Sequence, residues 1–238
     1  MRTFIIVPTY NEAENLPKLL SEILALPVDV AVINVDDGSP DGTGGIADEW
    51  AASHPGKVIP VHRAGKLGLG TAYIAGFHRA FDLGATRAIT MDADFSHNPR
   101  YIPAMIARSE EADVVIGSRY VPGGDMLYCP WYRKALSAGA NMIAHTALGL
   151  KARDTTAGFR LYRREVLESI HFDSIFSSGY SFLIEMLYLV QRKGWRVAEV
   201  PIVYEDRMRG QTKISRNEIF RALYTVARLS FRRFVKRK

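Results

Sequence analysis

Four apolar runs of strand length, at residues 4–7, 30–35, 88–91 and 114–116, recur along the chain with stretches of helical period between them. The runs are rich in Val and Ile, as strands buried on both faces are. After the first, Leu16, Leu19, Leu20, Ile23 and Leu24 form a helical stripe, with Asn11 and Glu14 as the predicted capping pair. Further helices are predicted around residues 46–52 and 72–81 and from Pro99 to near Ala112, with a short strand near 58–61. Strands separated by ten or more helical residues cannot pair as hairpins, so they imply βαβ units and a mostly parallel sheet covered on both faces. With 238 residues, 47% of them hydrophobic, the chain can bury the core such an α/β fold needs, as one large domain or two small ones.

Chemistry concentrates where these runs end. Thr90-Met91-Asp92-Ala93-Asp94-Phe95-Ser96-His97-Asn98-Pro99 closes an apolar run with two carboxylates one residue apart. On an extended backbone, side chains at i and i+2 share a side, so Asp92 and Asp94 are expected to converge on one cation. A hard ion such as Mg²⁺ takes a few carboxylate oxygens and completes its shell with phosphate or water. Asn98-Pro99 reads as an N-cap and a first-turn proline, which places the acids in a strand-to-helix loop. Taken alone, Asp-x-Asp is equally the composition of a solvated turn. A second pair, Asp36-Asp37, follows the run 30–35 and opens Gly38-Ser39-Pro40-Asp41-Gly42-Thr43, so two acidic loops are expected to face one crevice.

Several function classes are excluded. Cys129 is the single cysteine, which rules out an internal disulfide framework and a Cys-based zinc cluster; it reads as a packing residue. The run at 4–8 is too short for a signal peptide, and no 18 apolar residues run together, so no spanning helix is expected. Gly65-Lys66-Leu67-Gly68-Leu69-Gly70 lacks both the dinucleotide and the P-loop spacing and reads as a tight turn. Isolated cations accompany the acidic loops: Arg119 after Gly117-Ser118, then Arg133 and Lys134, and Arg207, Arg209 and Lys213 in the run 205–213. The stretch 119–130 is long and irregular, which marks it as functional.

The net charge of +6 is localised. Residues 216–238 hold eight Arg and Lys against Glu218 alone, a net +7, so the remainder is close to neutral. The same segment spaces Phe220, Leu223, Tyr224, Ala227, Phe231 and Phe234 by three or four, which predicts a basic amphipathic helix. Such a helix packs on its domain, lies on anionic lipid or binds nucleic acid, and the pattern leaves all three open.

Six motifs in order, Val7-Pro8-Thr9-Tyr10-Asn11-Glu12, Asp36-Asp37-Gly38-Ser39-Pro40-Asp41-Gly42-Thr43, Gly68-Leu69-Gly70-Thr71-Ala72, Asp92-Ala93-Asp94, Gly117-Ser118-Arg119-Tyr120 and Gly158-Phe159-Arg160-Leu161-Tyr162, together resemble the inverting glycosyltransferases of family 2. Within that family the pattern is most similar to enzymes that make polyprenyl or dolichyl phosphate mannose. The resemblance spans residues 1–220 and implies a GT-A fold, with a Rossmann-like, mostly parallel sheet. It divides the chain into a catalytic part, 1–214, and a basic amphipathic interfacial helix, 215–238, that extends the same domain. It further implies GDP-mannose as donor, a polyprenyl phosphate as acceptor and Mg²⁺ or Mn²⁺ as cofactor.

By position, the resemblance implies that Pro8, Tyr10, Glu12, Val35 and Asp37 line the nucleoside pocket. Asp92, Ala93 and Asp94 meet the donor, with Asp92 and Asp94 as metal ligands. Ser96 stands where some relatives carry a Gln ligand, which leaves the third protein ligand open. Arg119, Arg207 and Lys213 contact the donor, and Arg119, Arg133 and Ser137 receive the acceptor phosphate, with Asp92, Asp94 and Arg119 as the catalytic set. The implied location is peripheral, at the cytoplasmic face of a membrane, with room for a membrane-anchoring partner and no role for nucleic acid. A UDP-hexose donor is the alternative chemistry, and a non-catalytic nucleic-acid-binding protein the alternative class.

Overall fold

The computed structural model describes residues 2–205 and the helix at 216–235, whose side chains are described over 220–231. The first half runs β1 (Thr3–Thr9), α1 (Leu16–Leu24), β2 (Val30–Asp36), α2 (Thr43–Ser53), β3 (Val58–His62), α3 (Leu69–Asp82), β4 (Arg87–Thr90) and α4 (Ile102–Arg108). The second runs β5 (Val114–Ser118), β6 (Asp125–Leu127), α5 (Trp131–Leu148), β7 (Arg160–Arg163), α6 (Arg164–Glu168), α7 (Ser181–Arg192), β8 (Val197–Pro201), β9 (Val203–Glu205) and α8 (Arg216–Val235). Seven strands form one sheet in the order β3-β2-β1-β4-β7-β5-β8, and β6 pairs with β9 beside it. All pairings in the large sheet are parallel except those of β7, which is antiparallel to both neighbours.

Alternation along β1 builds two cores. Phe4 and Ile6 face Tyr73 and Phe77 of α3, while Ile5 and Val7 face Leu16, Leu19 and Leu20 of α1 and Ile102 of α4. Helix α3 lies close against β1 because Gly76 has no side chain: a Cβ there would sit 2.3 Å from Ile6 Cγ2. Strand order runs outward from β1 to β2 and β3 on one side and resumes with β4 on the other. That reversal opens a crevice at the carboxyl ends of β1 and β4, where open α/β sheets bind ligands.

Two helix boundaries differ from the sequence expectation. Helix α1 starts at Leu16 rather than behind Asn11, which adopts φ +59°. The amides of Asn11, Glu12 and Ala13 are taken by Ser39, Thr43 and Asp41 side chains, so this segment clasps the β2–α2 loop and cannot begin a helix. The helix after Pro99 ends at Arg108, short of Ala112, although Asn98 caps the preceding turn as predicted, accepting from Arg100 N at 3.0 Å. Helix α8 packs against α5 and α7 through Thr225, Val226 and Leu229, whereas Phe220, Leu223, Tyr224 and Phe231 of the predicted stripe face outward. Cys129 is half-buried before α5, outside both cores. Among the described residues, no helix is long and apolar enough to cross a membrane.

Candidate active site

One end of the crevice forms where β1 and β2 stop. Asp36 is buried and spends its carboxylate on Thr9 Oγ1 and on the amide and hydroxyl of Ser39, so it builds the loop. Asp37 pairs with a cation instead. Its carboxylate meets Arg63 at 2.9 Å, with both side chains about nine-tenths buried. Burial raises the Asp37 pKa above the ordinary carboxylate value; Arg63 opposes that shift and Asp36 adds to it. Tyr10 lies beside it with the Lys66 ammonium 4.6 Å over its ring. Glu12 accepts from Asn15 Nδ2 at 2.7 Å. Pro8 pairs in register with Val35, whose side chain is fully enclosed in the core behind this end of the crevice.

The acidic loop after β4 is aimed by hydrogen bonds and not by strand alternation. Strand β4 stops at Thr90, the backbone bends from Ala93 onward, and Phe95 adopts φ +62°. Asp92 N donates to His97 Nδ1 at 3.1 Å, which leaves the ring proton on Nε2. The His97 ring is stacked on Phe159 with centroids 5.2 Å apart. Tyr73 donates to Asp92 Oδ1 at 3.2 Å, and burial with that carboxylate raises the phenol well above its usual pKa, so it stays a donor. Asp94 Oδ1 accepts from Ser96 N at 3.1 Å and Ser96 Oγ at 2.6 Å. Ser96 is 1% exposed and orients Asp94, which places it behind the carboxylate. Among the described residues no three His, Cys, Asp or Glu side chains are arranged so that they could hold a metal ion. Two carboxylates at a crevice mouth fit a hard divalent cation that completes its shell with water and diphosphate oxygens.

The third wall carries Arg119, past the end of β5. Its Nε and one terminal nitrogen each donate to Asp154 at 2.8 Å, its backbone N donates to Asp154 at 3.1 Å, and Thr156 Oγ1 accepts a further bond at 2.8 Å. Burial alone would discharge both groups. The pairing prevails, holding Arg119 above and Asp154 below its ordinary pKa. The guanidinium also lies 5.5 Å from the Tyr120 ring centroid and 5.4 Å from that of Tyr204. Tyr120 in turn donates to Ser137 Oγ at 2.8 Å, and Ser137 lies on α5 one turn beyond Arg133. Arg207 and Lys213 lie outside the described residues. Sequence reading missed Arg63, Tyr73, His97 and Asp154; only His97 sits inside a motif already singled out.

A switch-point crevice with an acid pair on one loop, a buried Asp–Arg pair on a second and a buried arginine on a third wall fits the α/β GT-A arrangement. The chain belongs to glycosyl transferase family 2, whose family model matches residues 4–170, and it is a glycosyltransferase. It is 44% identical to a polyprenol monophosphomannose synthase of Mycolicibacterium smegmatis over 232 residues, 97% of this chain and 88% of that protein. It is 43% identical to an undecaprenyl-phosphate mannosyltransferase of Micrococcus luteus over 228 residues, 96% and 93% of the two chains. In fold it resembles glucosyl-3-phosphoglycerate synthase from Mycobacterium tuberculosis, crystallised with Mn²⁺, UDP and glucosyl-3-phosphoglycerate. The TM-score is 0.66 at 20% identity, over 96% of this chain and 80% of that one.

Proposed function

We propose that this enzyme transfers mannose from GDP-mannose to the phosphate of a polyprenol and inverts the anomeric centre, giving a β-linked polyprenyl phosphate mannose. The reading rests chiefly on similarity over nearly the whole chain to two proteins named for mannosyl transfer to polyprenyl phosphates. In it Tyr10, Glu12 and Asp37 recognise base and ribose in front of the Pro8–Val35 pair, and Asp92, Ala93 and Asp94 meet the diphosphate. A bound Mg²⁺ or Mn²⁺ at Asp92 and Asp94 would supply Lewis-acid neutralisation of the departing diphosphate, with Arg207 and Lys213 adding charge. Arg119, Arg133 and Ser137 hold the acceptor phosphate. That phosphate is already anionic near neutral pH, so it attacks the sugar without a general base, and positioning and charge stabilisation carry the rate.

The reading also accounts for the apolar surface. Trp131, Tyr132, Leu136, Met142 and Ile143 of α5 and Phe220, Leu223, Tyr224 and Phe231 of α8 are exposed, and the two helices pack side by side. Arg221 and Arg228 stand on the same helix, which suits a surface lying on anionic lipid. Residues 1–214 then act as the catalytic part and 215–238 as the interfacial helix of an enzyme peripheral to the cytoplasmic face of a membrane, with or without an anchoring partner.

Thermal shift and turnover test the donor and the metal. With Mg²⁺, GDP at about 100 times its Kd should stabilise the fold by about 2.7 kcal/mol, and UDP less. Mannosyl transfer to polyprenyl phosphate should stop in excess chelator and resume on Mg²⁺ or Mn²⁺ addition. A larger shift with UDP moves the donor to a UDP-hexose; full turnover in chelator removes the metal.

A further inference from the structure

Asn141 occupies the middle of α5, 5% exposed, on the inward stripe that also carries Arg133 and Ser137 four residues apart. Asn is a poor helix former, and a buried amide is costly unless its hydrogen bonds are made. Here both ends of the amide are used. Oδ1 accepts from Thr155 N at 2.7 Å and from Thr155 Oγ1 at 2.8 Å, and Nδ2 donates to Ser137 O at 3.1 Å and to Thr156 Oγ1 at 3.3 Å. The backbone amide of Thr155 can only donate, so the orientation of the side chain is fixed.

Thr156 Oγ1 is the junction. It also accepts from Arg119 at 2.8 Å, and its own proton is directed to Asp154 Oδ1 at 3.3 Å. A return path runs from Arg119 over the Tyr120 ring to the Tyr120 hydroxyl and Ser137 Oγ. Helix α5 is therefore tied to the Arg119 guanidinium at two points one turn apart. The segment is fixed to the sheet as well, because Arg153 N and Asp154 N donate to the Glu199 carboxylate on β8 at 2.8 and 2.9 Å.

We propose that Asn141 is a positioning residue that sets the spacing between Arg119, fixed to the sheet, and Arg133 and Ser137, carried by α5, so that the three meet one acceptor phosphate. The inference rests on the functional reading above, in which those three residues receive the phosphate. It also gives α5 two roles: its outer face carries the exposed Trp131, Met142 and Ile143, and its inner face carries the link to Arg119. A tilt of the helix is then transmitted to Arg119 through Asn141 and Thr156.

Asn141→Asp keeps the size and the Oδ1 acceptor but removes both Nδ2 donors. Thr156→Val keeps the volume and removes the junction, and it decides the matter if the first variant folds poorly. Each should raise the KM for a short polyprenyl phosphate about tenfold, the weight of one hydrogen bond, while donor KM and GDP affinity stay within about twofold. The double variant should match the worse single one, because both break one path. A merely structural Asn141 would lower the melting temperature and leave both KM values of the folded enzyme alone, which overturns the proposal, as do multiplicative effects in the double variant. Wild type that transfers to no polyprenyl phosphate overturns the functional reading itself. Wild-type turnover that Arg133→Ala impairs and Asn141→Asp does not overturns the coupling alone.

Discussion

Asp154→Asn isolates the charge at the centre of the third wall. The carboxylate is 0% exposed, the Arg119 side chain 13%, and three of the bonds between them are 3.1 Å or shorter. Removing one partner of such a pair strands the other charge in the interior, which costs about 3–5 kcal/mol. For a chain of this size each kcal/mol moves the melting temperature by about 2–4 °C, so a fall of about 6–20 °C is expected. Guanidinium unfolding followed by circular dichroism measures the free energy directly. The pH dependence has a definite sign. Asp154 titrates below its ordinary 3.8 in the folded protein, so the pairing is complete above that value and drains away as pH falls through the lowered one. The variant cannot titrate there, so the gap between wild type and Asp154→Asn should hold from neutral pH down to about pH 5 and narrow on further acidification. Adding Arg119→Met to Asp154→Asn should recover part of the stability and none of the activity, because the stranded charge goes and the proposed phosphate ligand goes with it. A loss under about 1 kcal/mol, or a gap that widens in acid, refutes the buried-pair account.

Arg63→Met should push the Asp37 carboxyl further above its ordinary pKa, since the guanidinium is the group opposing burial. The acid limb of kcat/KM for the donor should then move to higher pH, with donor KM raised more on the acid side of that limb than on its alkaline side; an unmoved limb separates Asp37 from donor binding. Replacing Trp131, Tyr224 and Phe231, which are 81%, 62% and 71% exposed, by Ser should weaken binding to anionic vesicles by about 1.5–3 kcal/mol per inserted side chain, with GDP affinity unchanged. Vesicle co-sedimentation reads this out, and unaltered binding would return both helices to an ordinary solvated face.

What the sequence disclosed follows from how far apart the interacting residues lie in it. The acid pair, its cap at Asn98 and the strand before it share the twelve residues 87–98, and the β-α alternation repeats often enough to imply a parallel sheet. Arg63 and Asp37, Tyr73 and Asp92, and Asp154 and Arg119 are separated by 26, 19 and 35 residues, so no local pattern marks them as partners. Asp36 and Asp37 are chemically identical in sequence. The positions of Thr9 and Ser39, which both donate to Asp36, decide which one builds the loop and which one faces Arg63. Helix α8 poses the same problem in periodic form. Phe220, Leu223, Tyr224 and Phe231 keep helical spacing, but so do Ala222, Thr225, Val226 and Leu229, and the period cannot say which set packs on α5 and α7. Thr225, Val226 and Leu229 turned inward, and Phe220, Leu223, Tyr224 and Phe231 were left facing out. The stripe, which the sequence left open between packing, lipid and nucleic acid, is exposed in the fold. That exposure, more than the basic charge of the tail, gives α5 and α8 a common surface suited to a lipid interface.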